Sequence, residues 1–470
     1  MRFWTRRKAI DTITDQAPEH RLRPTLGWPQ LVGLGVGAIV GTGIYTLIGV
    51  GAGLAGPAVI LSFLIAGAVC ACAALAYAEL STMMPAAGSA YTYSYAVLGE
   101  ALAWIVGWSL ILEYTVVCAA VAVGWSAHAA EFLGGRGAAL PEAFLAGPAA
   151  GGVVNLPAVA ITLAVAALLI RGMRESAHVN TVLVAIKLAA LTAFVIIAAR
   201  AFDIRNFTPF MPKGFIGHAA DGAKIGVMPA ASIIFFAFYG FDAISTAAEE
   251  TRNPGRDLTI GIVGSMALCV AIYMIVATAA LGAAPAAEFA RSAAPLVYVL
   301  DRLGQPLAAE LVAGAAVVAL PTVILAFMFG QSRIFFVMAR DGLLPQGLAR
   351  VDPKSGAPRL MTVVTAAIAA GIAGLLPLQD IAALANAGTL CAFIAVAVCM
   401  VVLRLREPDR ARPFRAPVWW LIGPLGAAGC LYLFTTLPQI TIALFFAWNA
   451  AGVVAYLAYG RRASLLARAG

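Results

Sequence analysis

Twelve stretches of this 470-residue chain are each apolar over roughly 17 to 31 residues, and short polar segments separate most of them. A helix needs about 20 such residues to cross the hydrocarbon core of a bilayer. The stretches run roughly 29–53, 57–83, 101–130, 153–171, 177–200, 226–249, 259–283, 307–337, 360–376, 380–404, 416–436 and 437–459. No period-two alternation marks them as barrel strands, and helices satisfy their own backbone groups in lipid. The expectation is an all-α polytopic membrane protein with twelve transmembrane helices. Only 11% of residues are charged, too few to cover a soluble surface. The first 27 residues are polar and lack the apolar core of a signal peptide.

The net charge of +8 resolves into topology rather than a nucleic-acid partner. With the N-terminus inside, 23 of the 31 Lys and Arg fall on inner segments and seven on outer loops. Both termini are therefore expected in the cytoplasm. One basic residue, Lys187, remains inside a span. The seven cysteines lie in apolar spans and the four histidines are scattered, so neither a metal site nor another cofactor is expected. No phosphate-binding loop, nucleophile elbow or zinc-protease motif occurs, and an enzyme is not expected.

Two spans carry signs of interruption. The first reads Gly33-Leu34-Gly35-Val36-Gly37-Ala38-Ile39-Val40-Gly41-Thr42-Gly43. Five glycines in eleven residues weaken a helix, and Gly41-Thr42-Gly43 stands midway through the span. The same spacing also serves close helix packing by small residues. The sixth span places Asp242 about two-thirds along, after Phe235-Phe236-Ala237-Phe238-Tyr239-Gly240-Phe241. An acid there reads either as a functional group or as an anchor for a broken helix. Interrupted helices in corresponding positions of two halves point to a transporter site. A half-helix starting near Gly43 would offer N–H groups to a carboxylate. The carbonyls of Ile39, Val40, Phe236, Ala237 and Tyr239 would hold an ammonium. Such a site binds a zwitterion.

Several motifs resemble the amino acid–polyamine–organocation superfamily and, within it, the cationic amino acid transporter family of the proton-coupled bacterial type. They are the glycine-rich stretch 33–44, Ala76-Tyr77-Ala78-Glu79-Leu80 with Met84-Pro85-Ala86-Ala87-Gly88-Ser89, and Gly240-Phe241-Asp242 with Glu249-Glu250-Thr251-Arg252-Asn253-Pro254. Met338-Ala339-Arg340-Asp341-Gly342 and Ala385-Asn386-Ala387-Gly388-Thr389 complete the set. The resemblance implies the inverted-repeat fold of the sodium-coupled leucine transporter, with five-plus-five helices and two more. The expected divisions are a cytoplasmic segment 1–27, a transport core 28–404 with repeats at about 28–200 and 226–404, two further helices in 416–459 and a tail 460–470. Two positions depart from the family pattern: Gln30 replaces an acid, and Tyr239 replaces an aliphatic residue.

Lys187 lies ten residues into the fifth span, about 15 Å deep at 1.5 Å per residue. The resemblance gives this lysine the place of a sodium ion beside the first break. Burial disfavours an ammonium, so it reads as a proton carrier; the alternative is a permanently charged strut. Glu113 in the third span reads as a second proton site, a partner for a charged substrate or a structural acid. Glu79 reads as a loop anchor, Arg333 and Arg340 as possible partners of Glu79 or Glu250, and Phe327 as a core or lipid contact. Tyr91 to Tyr95 read as a short amphipathic helix at the membrane interface. The combined expectation is a secondary transporter that imports amino acids, neutral ones first, across the plasma membrane by proton symport. Its partners would be an amino acid, a proton and the lipid bilayer, with an accessory subunit left open. An exchanger and a cationic amino acid or polyamine transporter are the alternatives.

Overall fold

The computed structural model describes residues 6–13, 22–41, 43–134, 141–148, 151–218, 224–290, 292, 294–352, 357–376, 378–437 and 439–468. These residues are mostly helical. Helix α1 (Trp28–Ile39) carries Pro29 in its first turn, where a missing N–H is harmless, and Gln30 Oε1 accepts a bond from Gly27 N at 3.1 Å. The departure at Gln30 is thus a helix cap. After α1 come α2 (Ile48–Ala55), α3 (Val59–Met83), α4 (Ala90–Val97) and α5 (Glu100–Gly134). Then follow α6 (Leu156–Arg171), α7 (Met173–Arg200), α8 (Val227–Ile234), α9 (Asp242–Thr246) and α10 (Pro254–Ala283). The short α11 (Ala286–Phe289) and α12 (Pro295–Arg302) lead into α13 (Pro306–Arg340). Helices α14 (Arg359–Leu375), α15 (Leu378–Arg406), α16 (Trp419–Thr435) and α17 (Gln439–Ala455) complete the bundle. Among the described residues eight helical stretches are long and apolar enough to cross a membrane, and α1, α6, α14 and α16 are shorter apolar helices.

Helices α1, α3, α8 and α10 pack against one another, while α5 packs along α13, α14 and α15. Helix α7 bridges the groups through contacts with α1, α10 and α13. Both breaks are present. Helix α1 stops at Ile39, Val40 is extended (φ −76°, ψ 92°), and a single wide turn over Gly43–Leu47 precedes α2. Helix α8 tightens at Phe235–Ala237, and Gly240 adopts φ +116° before α9. That conformation needs glycine for a second reason: a Cβ there would lie 2.8 Å from Ala38 Cβ.

One end of the bundle gathers both terminal segments. Thr25 N and Leu26 N donate to Glu250 O at 2.9 and 2.8 Å, Lys8 Nζ pairs with Asp341 at 2.6 Å, and Leu465 N donates to Asp341 O at 3.1 Å. Helix α4 lies at this end and corrects one expectation. All eight of its residues are buried, so it is not an interfacial amphipathic helix. The physical reason is that its tyrosines meet acids inside the protein: Tyr91 donates to Asp341 and Tyr95 to Glu100.

Candidate functional site

The two breaks are in direct contact. A Cβ on Gly43 would lie 2.4 Å from Ala237 Cβ, so only glycine permits this approach. Above the contact is a cavity of about 10 Å³, room for about one water. Of the predicted residues, Ile39, Gly41, Gly43, Phe236 and Tyr239 line it. Val40 and Ala237 sit at the break without lining the cavity, and Thr42 lies outside the described residues. The remaining wall is Ala38 with Val117 and Val121 from α5 and Val323 and Phe327 from α13. Phe327 is therefore a pocket residue, against expectation. It stands edge-on to Tyr239 at 5.8 Å, and Tyr239 stands edge-on to Phe236 at 4.6 Å. A helix seen only in sequence does not reveal which of its apolar faces turns toward a break in a neighbour.

The carbonyls freed by the breaks have specific partners. Tyr273, on α10, places its hydroxyl 2.6 Å from Ile39 O and 3.0 Å from Ala237 O. One phenol thus bridges both interrupted helices, and sequence reasoning missed it. The available signal was a lone hydroxyl inside the apolar run Ala271-Ile272-Tyr273-Met274. Lys187 is fully buried, and its Nζ donates to Gly37 O at 3.0 Å, Val40 O at 2.7 Å and Thr322 Oγ1 at 3.0 Å. All three N–H bonds of an ammonium are satisfied there. In this conformation the carbonyls of Ile39, Val40 and Ala237 are engaged by the protein itself.

The two intramembrane acids are set differently. Asp242 heads α9 and accepts bonds from Gly240 N at 3.1 Å and from the Tyr114 hydroxyl. These contacts anchor the left-handed turn at Gly240. Glu113 Oε1 accepts from Thr389 at 2.6 Å, while its buried Oε2 has no hydrogen-bond partner among the described residues. The Tyr239 hydroxyl is also buried, with no hydrogen-bond partner among the described residues.

Charged pairs close the end that carries the terminal segments. Arg333 grips Glu250 with two bonds of 2.9 and 3.0 Å, and both side chains are 2% exposed. Arg340 grips Glu249 at 2.8 and 2.6 Å, and Glu249 also accepts from Ala87 N at 3.0 Å. Burial pushes the Glu250 carboxyl above its usual range, against the opposing pull of Arg333. Glu79 does not join these pairs. It binds Arg404 at 2.7 Å, Arg412 at 3.1 Å and Ala416 N at 2.7 Å, which ties α3 to the loop after α15.

Two interrupted helices thus meet, with a small pocket between them and ion pairs across one end. The chain belongs to the amino acid permease family, whose model matches residues 26–458, within the amino acid–polyamine–organocation superfamily. It is 42% identical over 98% of both chains to a branched-chain amino acid permease of Bacillus subtilis. It is 39% identical, again over 98% of both chains, to a methylthioribose transporter of the same organism. A vacuolar cationic amino acid transporter of Arabidopsis thaliana is 38% identical over 87% of this chain and 64% of its own length. The family and these relatives are transporters, not enzymes. The protein is a multi-pass membrane protein.

Proposed function

We propose that this protein imports neutral amino acids across the plasma membrane by proton symport and alternating access. In a Gram-negative cell that is the inner membrane. The observation that carries the reading is Lys187, which holds two carbonyls of the first break and a hydroxyl of α13 through three hydrogen bonds. A protonated Lys187 fixes the break; loss of the proton removes a bond and frees it. All twelve apolar helices cross the membrane in this reading, as two five-helix inverted repeats within 28–404 and two additional helices within 416–459. The breaks at Gly41–Gly43 and Phe235–Gly240 are the corresponding elements of the repeats. The basic end that carries the described parts of both terminal segments, 6–13, 22–27 and 460–468, faces the cytoplasm, in keeping with the charge bias.

The zwitterion's carboxylate would meet the start of the helix at Gly43, and its ammonium the carbonyls that Lys187 and Tyr273 now occupy. Aliphatic and aromatic walls suit a branched aliphatic side chain, and the branched-chain permease at 42% identity supports that choice. Two other substrate classes have their own support: a cationic side chain from the free oxygen of Glu113, and a thio-sugar from the methylthioribose relative. Uptake of radiolabelled leucine into proteoliposomes is the test, with and without an inward proton gradient. Alanine, threonine, arginine and methylthioribose serve as competitors. Gradient-driven accumulation that Lys187→Ala abolishes is the expected result. Uptake driven only by internal substrate would establish an exchanger instead.

A further inference from the structure

We propose that Ser89 is the positioning residue that holds α9, the half-helix after the second break, against the loop 84–89, and that strain in its backbone is released when α9 leaves. The inference rests on the reading of alternating access. Ser89 is fully buried, immediately precedes α4 and adopts φ +53° and ψ −139°. L side chains rarely adopt that conformation, whereas glycine adopts it freely. A serine before a helix ordinarily caps it, but the Ser89 side chain makes no capping bond to α4. Its Oγ instead accepts from the Ser245 hydroxyl of α9 at 2.7 Å.

The contacts around this bond decide what it does. Ser245 follows closely on Gly240, whose left-handed turn ends the second break. Its Oγ also lies 2.6 Å from Asp242 O, which ties the side chain back to the start of α9. Just beyond α9, Glu249 accepts from Ala87 N at 3.0 Å. The loop thus touches the chain after the break at two points. Gly88 of the same loop packs against α13, where a Cβ would stand 2.9 Å from Val337 Cγ1. The loop is therefore a wedge between α9 and α13. Helix α4, which continues it, is itself fixed through Tyr91 to Asp341 and Tyr95 to Glu100.

Backbone strain of this kind persists only where the surrounding contacts over-determine it. Three contacts do so here: the Ser245 bond, the main-chain bonds from Thr92 N and Tyr93 N to Ser89 O at 2.9 and 3.3 Å, and the packing of Gly88 on α13. Movement of α9 away from the loop breaks the first of them and leaves the strain unopposed. Gly88 tolerates a wide range of backbone angles, so the peptide before Ser89 can turn and Ser89 relaxes to negative φ. The bond lost and the strain released are of similar size, which keeps the two arrangements near balance. Glycine at position 89 would hold the same loop shape without strain. Serine makes that shape depend on where α9 stands.

The test compares Ser89→Ala, which keeps the strain and removes the hydroxyl, with Ser89→Gly, which removes both. Ser245→Ala is the partner variant; it leaves Ser89 strained and without its bond, so it serves in place of Ser89→Ala should that variant fail to fold. The readout is hydrogen–deuterium exchange of residues 241–253 in purified full-length protein, with leucine uptake into proteoliposomes measured in parallel. Ser89→Ala and Ser245→Ala should each raise opening of this segment about fivefold, the net contribution of one hydrogen bond. The double variant should open no further than either alone, because both remove the same bond. Ser89→Gly should stay within about twofold of wild type, since the strain leaves with the bond. A side chain that only fills space gives the reverse order, because glycine removes more of it than alanine. More opening in Ser89→Gly than in Ser89→Ala overturns the inference, as does a double variant whose effect is the product of the two singles. The expected order in a wild type that takes up no leucine overturns the transport reading and leaves the role of Ser89 standing. Leucine uptake with the reverse order overturns that role and leaves the transport reading standing.

Discussion

Replacing Gly43 by alanine tests whether contact between the two breaks creates the binding site. The added carbon would stand 2.4 Å from Ala237 Cβ and 2.6 Å from Ala237 Cα. Non-bonded carbons settle at about 3.5–4.0 Å, so the breaks must part by about 1 Å. Main chain lies on both sides of the clash, and no flexible side-chain end can give way. Overpacking of this kind costs about 1–3 kcal/mol. The separation also stretches the Tyr273 bridge, now 2.6 and 3.0 Å to the two break carbonyls. Leaving one buried carbonyl without its donor adds about 1–3 kcal/mol. If about 3 kcal/mol of that total falls on the bound state, leucine affinity drops about a hundredfold. Equilibrium binding to purified protein and thermal unfolding in detergent measure the two parts. Gly124→Ala is the control: nothing lies within 4 Å of a Cβ there, in the interior of α5. It should leave binding unchanged and raise helix stability by up to about 1 kcal/mol. Binding by Gly43→Ala within about twofold of wild type, well under 1 kcal/mol, would refute the reasoning.

Other substitutions probe the walls and the charged end. Glu250→Gln leaves Arg333 buried without its counter-charge, which should cost about 3–5 kcal/mol and lower the melting temperature; adding Arg333→Met to the same chain should recover part of the loss. Phe327→Ala removes a ring from the cavity wall, so competition assays should show larger neutral side chains gaining on leucine. Lys187→Ala should abolish gradient-driven accumulation while preserving exchange of internal for external leucine.

The features legible in the sequence are those that break a strong local rule. Lys187, Glu113 and Asp242 stand out because a charge in an apolar span needs a reason, and the glycine run stands out because it opposes its own helix. The structure puts Lys187 against Gly37 and Val40 of that run. Tyr273, Thr322 and Phe327 break no such rule. A tyrosine, a threonine or a phenylalanine is ordinary in a membrane helix, and its importance comes from which neighbouring backbone is interrupted opposite it. The α4 tyrosines failed for the converse reason. A run of aromatic residues beside a span has the pattern of an interfacial helix, and only the tertiary positions of Asp341 and Glu100 turn it inward. Arg340 met Glu249 rather than Glu79 because Glu79 is saturated by Arg404, Arg412 and a backbone amide.

The two ends of the bundle are held by different physics. At the end with the terminal segments, α13 is joined to the residues after α9 by two buried bidentate pairs, Arg333–Glu250 and Arg340–Glu249. Parting them separates two bidentate ion pairs, and the cost remains high until water fills the gap. At the opposite end α2 leans on Pro295 and Phe289 through Gly49, and Gly56 approaches Pro212. Those contacts are apolar or backbone, beside a hydrogen bond from Lys213 Nζ to Gly53 O on α2, and parting the apolar part costs about 25 cal/mol for each Å² exposed. A side chain entering the pocket must in any case displace Phe236, Tyr239 or Phe327, since about 10 Å³ holds no amino acid. The aromatic trio is closer in kind to the apolar seal than to the ionic one. For the alternating access proposed above, the expectation is that the apolar end opens first and the ionic end only once substrate is bound; cysteine accessibility at the two ends, with and without leucine, checks it.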